Sequence, residues 1–245
     1  MPVRRLGPVL MLALLSGPAC SVASPPLPAV ASSRVVGTVM APVLVSVNAP
    51  AGISVTAIRV ARTQPIGTVV TVEGVVTTPS GAFNSSFYDR GFALQDRTGG
   101  LFVSLQYDLQ LRPGQKVRVT GAIGDSNGLL TLVPIHPDEV KVLPGKGEVE
   151  PRELRTVKVG EATEGQLVQV AGRVTKAPES DLPYGYKLYV DDGSGAVVVF
   201  VNVETNIDAM ALSAGQQVRV VGFSSQYEDH YEIDPRFPRD VRLVR

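Results

Sequence analysis

The residues of this sequence best suited to chemistry are aromatic side chains with cations nearby. They gather in two segments, Pro79–Gly91 and Lys176–Tyr186, and on the stretches that follow each of them. Aromatic rings and cations are the groups on which unpaired nucleic-acid bases stack. The candidate ligand-binding residues are therefore Phe83, Phe87, Tyr88, Arg90, Phe102, Arg118, Tyr186, Tyr189, Phe200 and Tyr227.

Residues suited to catalysis or metal binding form no recognisable motif. The two histidines, His136 and His230, belong to no shared pattern, and the sequence has no HExxH, GxSxG or phosphate-binding glycine loop. The stretch Asp191–Gly195 lacks the alternating acidic ligands of an EF-hand and is interpreted as a hairpin turn. The sequence therefore predicts a protein that is not an enzyme, with no catalytic residue, no metal site and no cofactor. A second acidic group is interpreted as a solvated loop and strand edge; it comprises Glu228, Asp229, Glu232 and Asp234.

The beginning of the sequence is typical of an export signal. The Arg4-Arg5 pair precedes the apolar stretch Val9–Leu15, which is too short to span a bilayer. Cleavage after Ala23 would remove a signal peptide. The alternative is a lipoprotein signal that ends before Cys20, with Cys20 acylated. The sequence predicts a secreted or extracytoplasmic protein, either free or lipid-anchored, with no transmembrane helix in the mature chain.

Composition favours an all-β protein held together by ordinary hydrophobic cores. The sequence has 24 glycines and 19 prolines, and 44% of its residues are hydrophobic. The net charge is zero, but the residues from Gly147 onward include 16 acidic and 11 basic ones, a balance of −5. A strongly basic nucleic-acid binder is excluded, so any electrostatic binding surface must be local.

One strand pattern occurs twice and organises the elements that must position these side chains. Leu111–Gly121 (LRPGQKVRVTG) and Leu212–Gly222 (LSAGQQVRVVG) each place a glycine-containing turn before valines that alternate with polar residues. This period of two is typical of a half-buried strand. The repetition predicts a duplicated β domain.

Three further segments repeat in the same order within each copy. The first is a long strand whose internal glycine, Gly74 or Gly172, predicts a bend. The second is a hairpin with a glycine-rich connection. The third is interpreted as the last strand. The matched pairs are Gly67–Thr77 with Gly165–Thr175, Phe92–Leu105 with Leu188–Val201, and Pro134–Val140 with Pro235–Val241.

This order of elements matches the five-stranded oligonucleotide/oligosaccharide-binding (OB) barrel. The stretches VVTVEGVVT, FALQDRTGG and PGQKVRVTG, with EGQLVQVAGRVT, VDDGSG and AGQQVRVVG, resemble the OB-fold modules of bacterial secreted proteins. Such modules often accompany extracellular nuclease or phosphoesterase domains, so the resemblance implies a nucleic-acid-binding module. The predicted fold class is all-β, with two tandem five-stranded OB-fold barrels after a signal peptide and a flexible tether.

The predicted ligand is single-stranded nucleic acid, bound weakly and mainly by the first barrel. The alternative is an envelope accessory or scaffold protein that binds another protein or a glycan. A second question also stays open, because the outward-facing Phe102 and Phe200 could instead be buried against the other barrel. The predicted divisions of the chain are 1–23 (signal peptide), 24–52 (tether and arm), 53–143 (first domain), 144–153 (linker) and 154–245 (second domain).

Overall fold

The computed structural model of this protein describes residues 54–83 and 89–244. The predicted signal peptide, Cys20, the tether, Phe87 and Tyr88 lie outside the described residues. Within these ranges the fold is almost entirely β, with one short α-helix, α1 (Ile58–Ala61). No helix in the described part of the chain has the length and apolar character needed to cross a membrane.

The first sheet closes on itself as a barrel. Its strands pair in the order β1-β2-β3-β5-β4-β6, and β4 also pairs with β1. We call β1 to β5 the first barrel; β6 lies beside β4 as an addition to it. The strands are β1 (Val69–Thr78), β2 (Phe92–Gln95), β3 (Gly100–Val103), β4 (Gln115–Ser126), β5 (Leu129–Val133) and β6 (Val140–Lys146).

The second sheet closes in the same way. Its strands pair in the order β14-β12-β13-β11-β10-β8-β7, β12 also pairs with β8, and β9 pairs with β10. We call β8 and β10 to β13 the second barrel. The strands are β7 (Arg152–Glu153), β8 (Leu167–Val174), β9 (Glu179–Asp181), β10 (Gly185–Asp191), β11 (Val197–Asn202), β12 (Gln217–Tyr227), β13 (His230–Asp234) and β14 (Val241–Leu243).

Both barrels have OB-fold connectivity. In each, the third and fifth strands pair in parallel and the fourth strand returns to the first. The alternating valines fill the two cores as predicted, since Val117, Val119, Val218 and Val220 are all at most 1% exposed. The predicted fold class is confirmed, whereas the predicted domain boundaries stay predictions.

The predicted last strand of each copy is wrong. The matched segments Pro134–Val140 and Pro235–Val241 contain 3₁₀ turns, and the last barrel strands, β5 and β13, lie immediately before them. Proline lacks the backbone N–H that a strand needs to pair on both sides, so the proline-containing segments cannot provide a central strand. The two segments remain equivalent, because each leads into an added strand beside the fourth strand of its barrel.

Gly74 and Gly172 occupy equivalent places in the first strand of each barrel. A Cβ added at Gly74 would lie 2.8 Å from Leu94 Cδ1 and 2.9 Å from the carbonyl oxygen of Gln95. One added at Gly172 would lie 2.7 Å from the carbonyl carbon and oxygen of Asp191. Both glycines are therefore needed for the close approach of the crossing hairpin strand.

We expect Gly172→Ala to destabilise the protein by about 1–3 kcal/mol, because backbone atoms must move to admit the methyl group. Gly160→Ala is the matched control, since its added Cβ would lie 3.9 Å from its nearest neighbour, Tyr231 Cδ2. Chemical denaturation of the two variants and the wild type measures the difference. Equal stability of all three would contradict the close approach.

An aspartate in each hairpin turn anchors the segment that leads into its barrel. Asp96 accepts hydrogen bonds from Thr98 and Gly99 in its own turn and from the Ile58 backbone N–H at 2.9 Å. Asp192 accepts from Ser194 and from the Thr156 hydroxyl at 2.9 Å. The hydrogen bond from Ser194 and those from Thr156 hold the pKa of Asp192 well below its usual range. Both carboxylates are thus committed to the turns, as the hairpin interpretation predicted.

Candidate functional site

The outer face of the first barrel's β2–β3 hairpin is covered by the second barrel. Phe102 points away from the first core, as predicted, but it is only 9% exposed and packs against Phe223 of β12. The two ring centroids are 5.7 Å apart, and Phe83 lies 6.4 Å from Phe223 on the same side. Of the two alternatives for Phe102, the structure has the buried one.

A buried ion pair and a backbone contact join the barrels nearby. Arg62 Nη2 lies 3.0 Å from Glu164 Oε1, which also accepts the Leu130 backbone N–H. Burial raises the pKa of Glu164, and the neighbouring Arg62 only partly offsets this effect. Gly100 and Gly165 approach so closely that a Cβ on Gly100 would lie 1.9 Å from the Gly165 carbonyl oxygen. Neither glycine can therefore be replaced by a larger residue without movement of the backbone at this interface.

The hairpin turns between the fourth and fifth strands of the two barrels also meet. The backbone N–H of Glu228, in the β12–β13 turn, donates to the carbonyl oxygen of Asn127, in the β4–β5 turn, at 2.6 Å. Together with the phenylalanine contact, this bond sets the second barrel at a fixed distance from the first. A cleft remains between the two contacts.

This inter-barrel cleft has a volume of about 350 Å³. Volumes of roughly 300–1,000 Å³ are typical of sites for small organic groups. It is lined by Phe83, Asp89, Phe102, Ser126, Asn127, Leu129, Asp181, Tyr184, Lys187, Phe200, Asn202, Phe223, Ser225, Gln226, Tyr227, His230, Glu232 and Asp234.

The walls of the cleft are aromatic. Phe83, Phe102 and Phe223 form one wall, and Phe200 stands on β11 opposite Lys187 of β10. Period-two alternation places Phe200 on the outer face, because Val199 and Val201 on either side of it are buried in the second core. The phenylalanines thus present apolar surface to one shared cleft.

The floor of the cleft is acidic. Glu232 and Asp234 are 7% and 8% exposed, and they alternate on β13 with Ile233, which is fully buried in the second core. Burial raises the pKa of Glu232 to about 7, although Lys187 opposes the shift. Burial and the neighbouring Glu232 raise the pKa of Asp234 well above its usual range, against a hydrogen bond from Ser225.

The interpretation of this acidic group as a solvated loop and strand edge is wrong for Glu232 and Asp234. β13 is an interior strand that pairs with β11 on one side and with β12 on the other. Its outer face is then closed by the first barrel's β4–β5 turn and by the phenylalanine wall.

Few cations lie close enough to balance the negative charge of the acidic floor. Lys187 Nζ lies 3.2 Å from Asp181 Oδ2 and is therefore already paired. His230 Nε2 lies 3.6 Å from Glu232 Oε2, and its ring packs edge-on against Tyr227 at 5.9 Å between centroids. Among residues 54–83 and 89–244, no group of three or more His, Cys, Asp or Glu side chains could hold a metal ion. The cleft combines an apolar body with an acidic, hydrogen-bonding end.

Comparison with known proteins gives one related sequence. The chain is 29% identical over 185 residues to "Endonuclease YhcR" of Bacillus subtilis (strain 168). The match covers 71% of this chain but only 15% of the endonuclease, so the chain spans a small part of that protein's length. No protein-family model matches the chain.

Solved structures give weak similarities. The murine DNA-binding protein bound to double-stranded DNA has a TM-score of 0.38 and 14% identity, over 71% of this chain and 96% of that one. Fission yeast Pot1 with single-stranded DNA has a TM-score of 0.37 and 12% identity, over 78% and 88%. The hypothetical protein ygiW from E. coli has a TM-score of 0.30 and 17% identity, over 37% and 90%.

Four of the ten candidate binding residues line the cleft, and four lie elsewhere. Tyr186 packs against the second core, and Tyr189 donates to Glu179 beneath the Lys176 ammonium group. Arg118 is paired with Glu73, with Nη2 and Oε1 2.5 Å apart, and Arg90 is exposed outside the cleft. Phe87 and Tyr88 fall outside the described residues. The four that the cleft brings together are Phe83, Phe102, Phe200 and Tyr227.

The sequence alone does not bring Phe223, Glu232 and Asp234 together as parts of one site. A signal for the acids was present, because His-Tyr-Glu-Ile-Asp at 230–234 alternates polar and apolar residues like a strand. Phe223 directly follows the strand pattern that ends at Gly222 and continues it. The contact that makes these residues a site comes from the other barrel, which the local pattern does not reveal.

A second groove, of about 520 Å³, lies beside the Arg62–Glu164 ion pair. We call it the arginine groove, because Arg59, Arg62, Arg97 and Arg152 line it. Arg97 and Arg152 are exposed, whereas Arg62 is held by the carboxylates of Glu161 and Glu164. Asp96, Glu161 and Glu164 line the groove too, so its four arginines give only a small local excess of positive charge.

Proposed function

We propose that this chain is an exported, non-catalytic tandem OB-fold protein that binds single-stranded nucleic acid, with bases entering the inter-barrel cleft. The observation that carries the proposal is the set of phenylalanine rings in one cleft, with Phe200 on the β10–β11 face of the second barrel and the wall of Phe83, Phe102 and Phe223 beside it. OB-folds bind oligonucleotides on this face, between the loops that follow the first and fourth strands. The Arg4-Arg5 pair and the apolar Val9–Leu15 support export, followed by cleavage after Ala23 or acylation of Cys20.

The charge distribution supports bases inside the cleft and phosphates outside it. Asp181, Glu232 and Asp234 repel a phosphate group, whereas the phenylalanine rings accept the face of any base. Phosphates would instead contact exposed cations such as Arg97 and Arg152 in the arginine groove. Few such cations are present, so the affinity should be weak and should decrease as salt concentration rises.

The similarity to an endonuclease supports nucleic acid as the ligand class. The matched stretch makes up 15% of that endonuclease, so the similarity does not require this region to carry the catalytic residues. We therefore assign the chain a binding role, for which an assay of DNA cleavage by the purified protein is the direct check.

A second candidate function is the binding of a glycan or of another protein. The acidic floor favours it, since Glu232 and Asp234 would accept hydrogen bonds from hydroxyl groups and give no attraction for phosphates. Salt separates the candidates, because the affinity for an uncharged glycan should not depend on ionic strength, whereas nucleic-acid affinity should fall steeply.

We expect Phe200→Ala to weaken binding of a single-stranded 12-mer about tenfold, because stacking contributes about 1–3 kcal/mol per base. Fluorescence anisotropy with labelled DNA at low salt measures the affinity of the mature protein. Tyr107→Ala is the matched control, since Tyr107 is 61% exposed and does not line the cleft.

Three results would argue against this function. The first is an absence of binding at high micromolar protein. The second is equal weakening by Phe200→Ala and Tyr107→Ala. The third is binding that is insensitive to salt. Melting curves of both variants establish that the fold is retained.

A further inference from the structure

The floor of the inter-barrel cleft holds a buried oxygen atom without a partner. Asp234 Oδ1 is inaccessible and has no hydrogen-bond partner among the described residues, although the Ser225 side chain donates to the same carboxyl group. About nine in ten or more buried polar groups in folded proteins are hydrogen-bonded. Asp234 lines the cleft, so a ligand group that reaches its carboxyl from the cleft would complete this bonding.

The missing partner is a hydrogen-bond donor. Both oxygens of an ionised carboxyl accept hydrogen bonds, and Oδ1 also accepts in the neutral form when the proton lies on the other oxygen. The charges around the oxygen favour a donor too, because Asp89, Asp181 and Glu232 line the same cleft. The cation that could balance them, Lys187, is already paired with Asp181 at 3.2 Å. A phosphate or a carbonyl oxygen would be repelled here.

Resting on the proposed function, we infer that the cleft floor reads the exocyclic amino group of one base in a nucleic-acid strand. The base stacks among the phenylalanine rings, and its amino group donates to Asp234 Oδ1. Adenine, cytosine and guanine carry such a group, whereas thymine and uracil do not. The cleft therefore selects amino-bearing bases.

The test compares bases that differ only in this amino group. Thymidine 12-mers carry one central adenine or one central purine that lacks the amino group, and anisotropy titrations give their affinities for the mature protein. We expect the adenine strand to bind about tenfold tighter, in keeping with a hydrogen bond to a base edge. In Asp234→Leu, the two strands should bind alike.

Asp234→Leu removes the accepting oxygen but also leaves the Ser225 hydroxyl without the carboxyl group to which it donates, so a melting curve of this variant accompanies the titrations. Asp138→Leu removes an exposed carboxylate outside the cleft and should preserve the tenfold preference. If Asp234→Leu does not fold, the affinities of the two strands for the wild-type protein still test amino-group recognition.

The outcomes separate this inference from the proposed function. Equal affinity of the two strands, with Phe200→Ala still weakening both, would overturn amino-group recognition and leave nucleic-acid binding intact. No binding of either strand would overturn both. A preference for the purine without the amino group, or for an all-thymidine strand, would also overturn the inference.

A further titration identifies the source of the base. Free adenosine offers the same amino group without a strand. We expect it to bind at least tenfold more weakly than the adenine 12-mer, because the strand adds stacking of its other bases. Equal affinity would assign the cleft to free nucleosides and overturn the strand as its occupant.

Discussion

Arg62→Ala should destabilise the protein by about 3–5 kcal/mol, because it leaves the buried Glu164 carboxylate without its cationic partner. Glu164 is 1% exposed at its side chain, and Arg62 Nη2 lies 3.0 Å from its Oε1. Arg62 Nη1 also donates to the carbonyl oxygen of Gly100 in the first barrel's β3 at 3.4 Å, so the same substitution removes this hydrogen bond as well. Urea denaturation of the protein measures the change.

Two further variants test the cause. Arg97→Ala removes an exposed arginine from the same groove and should change stability by less than about 0.5 kcal/mol. The double replacement Arg62→Met with Glu164→Leu should recover most of the lost stability, because replacing both partners of a buried ion pair with apolar side chains is often neutral or favourable. If Arg62→Ala were as stable as Arg97→Ala, the ion pair would not hold the interface.

The barrels could be predicted from the sequence because their signals are local. Alternating valines in Leu111–Gly121 and Leu212–Gly222 define strands wherever they occur, and the order of matched segments defines the connectivity. The wrong prediction of a strand at Pro134–Val140 also has a physical cause. Similarity between the two copies shows that the matched segments are equivalent, but it does not show which structure both segments adopt. The available backbone N–H donors decide which structure forms, and proline lacks this N–H.

The packing of one barrel on the other could not be predicted in this way. Phe102 and Phe223 belong to different copies, and nothing in the period of either strand indicates that the two rings meet. Gly100 and Gly165 likewise read as turn residues, although their backbones touch across the interface. Contacts between copies depend on surface shape, which one sequence does not reveal.

The candidate site was predicted in part for the same reason. The outward position of Phe200 follows from strand alternation, so it could be found. The burial of Glu232 and Asp234 depends on the covering β4–β5 turn, so their exposure was predicted wrongly. The prediction that Tyr186 and Tyr189 bind the ligand depends on the assumption that loop and hairpin aromatics all face one ligand. Instead, one packs on the core and the other bonds to Glu179.

The protein should lose roughly 2–3 kcal/mol of stability between pH 5 and pH 8. In the unfolded chain Glu232 has an ordinary pKa near 4.5, and burial raises it to about 7 in the folded protein. Between these values the folded state holds a proton that the unfolded state has released. Stability is therefore greatest below about pH 4.5 and falls as the pH rises through 7, and Asp234 changes it in the same direction.

Glu232→Gln isolates this effect, because it keeps the side-chain shape and removes the titration. Denaturation at pH 5 and pH 8 should show a clearly smaller loss in this variant than in the wild type. The residual loss reports Asp234, whose pKa is also raised by burial. Asp192 and Asp96 do not interfere, since hydrogen bonds lower the pKa of both carboxyls and they titrate below this range. If wild type and Glu232→Gln lost stability equally, Glu232 would be solvated, and the closed acidic floor would be wrong.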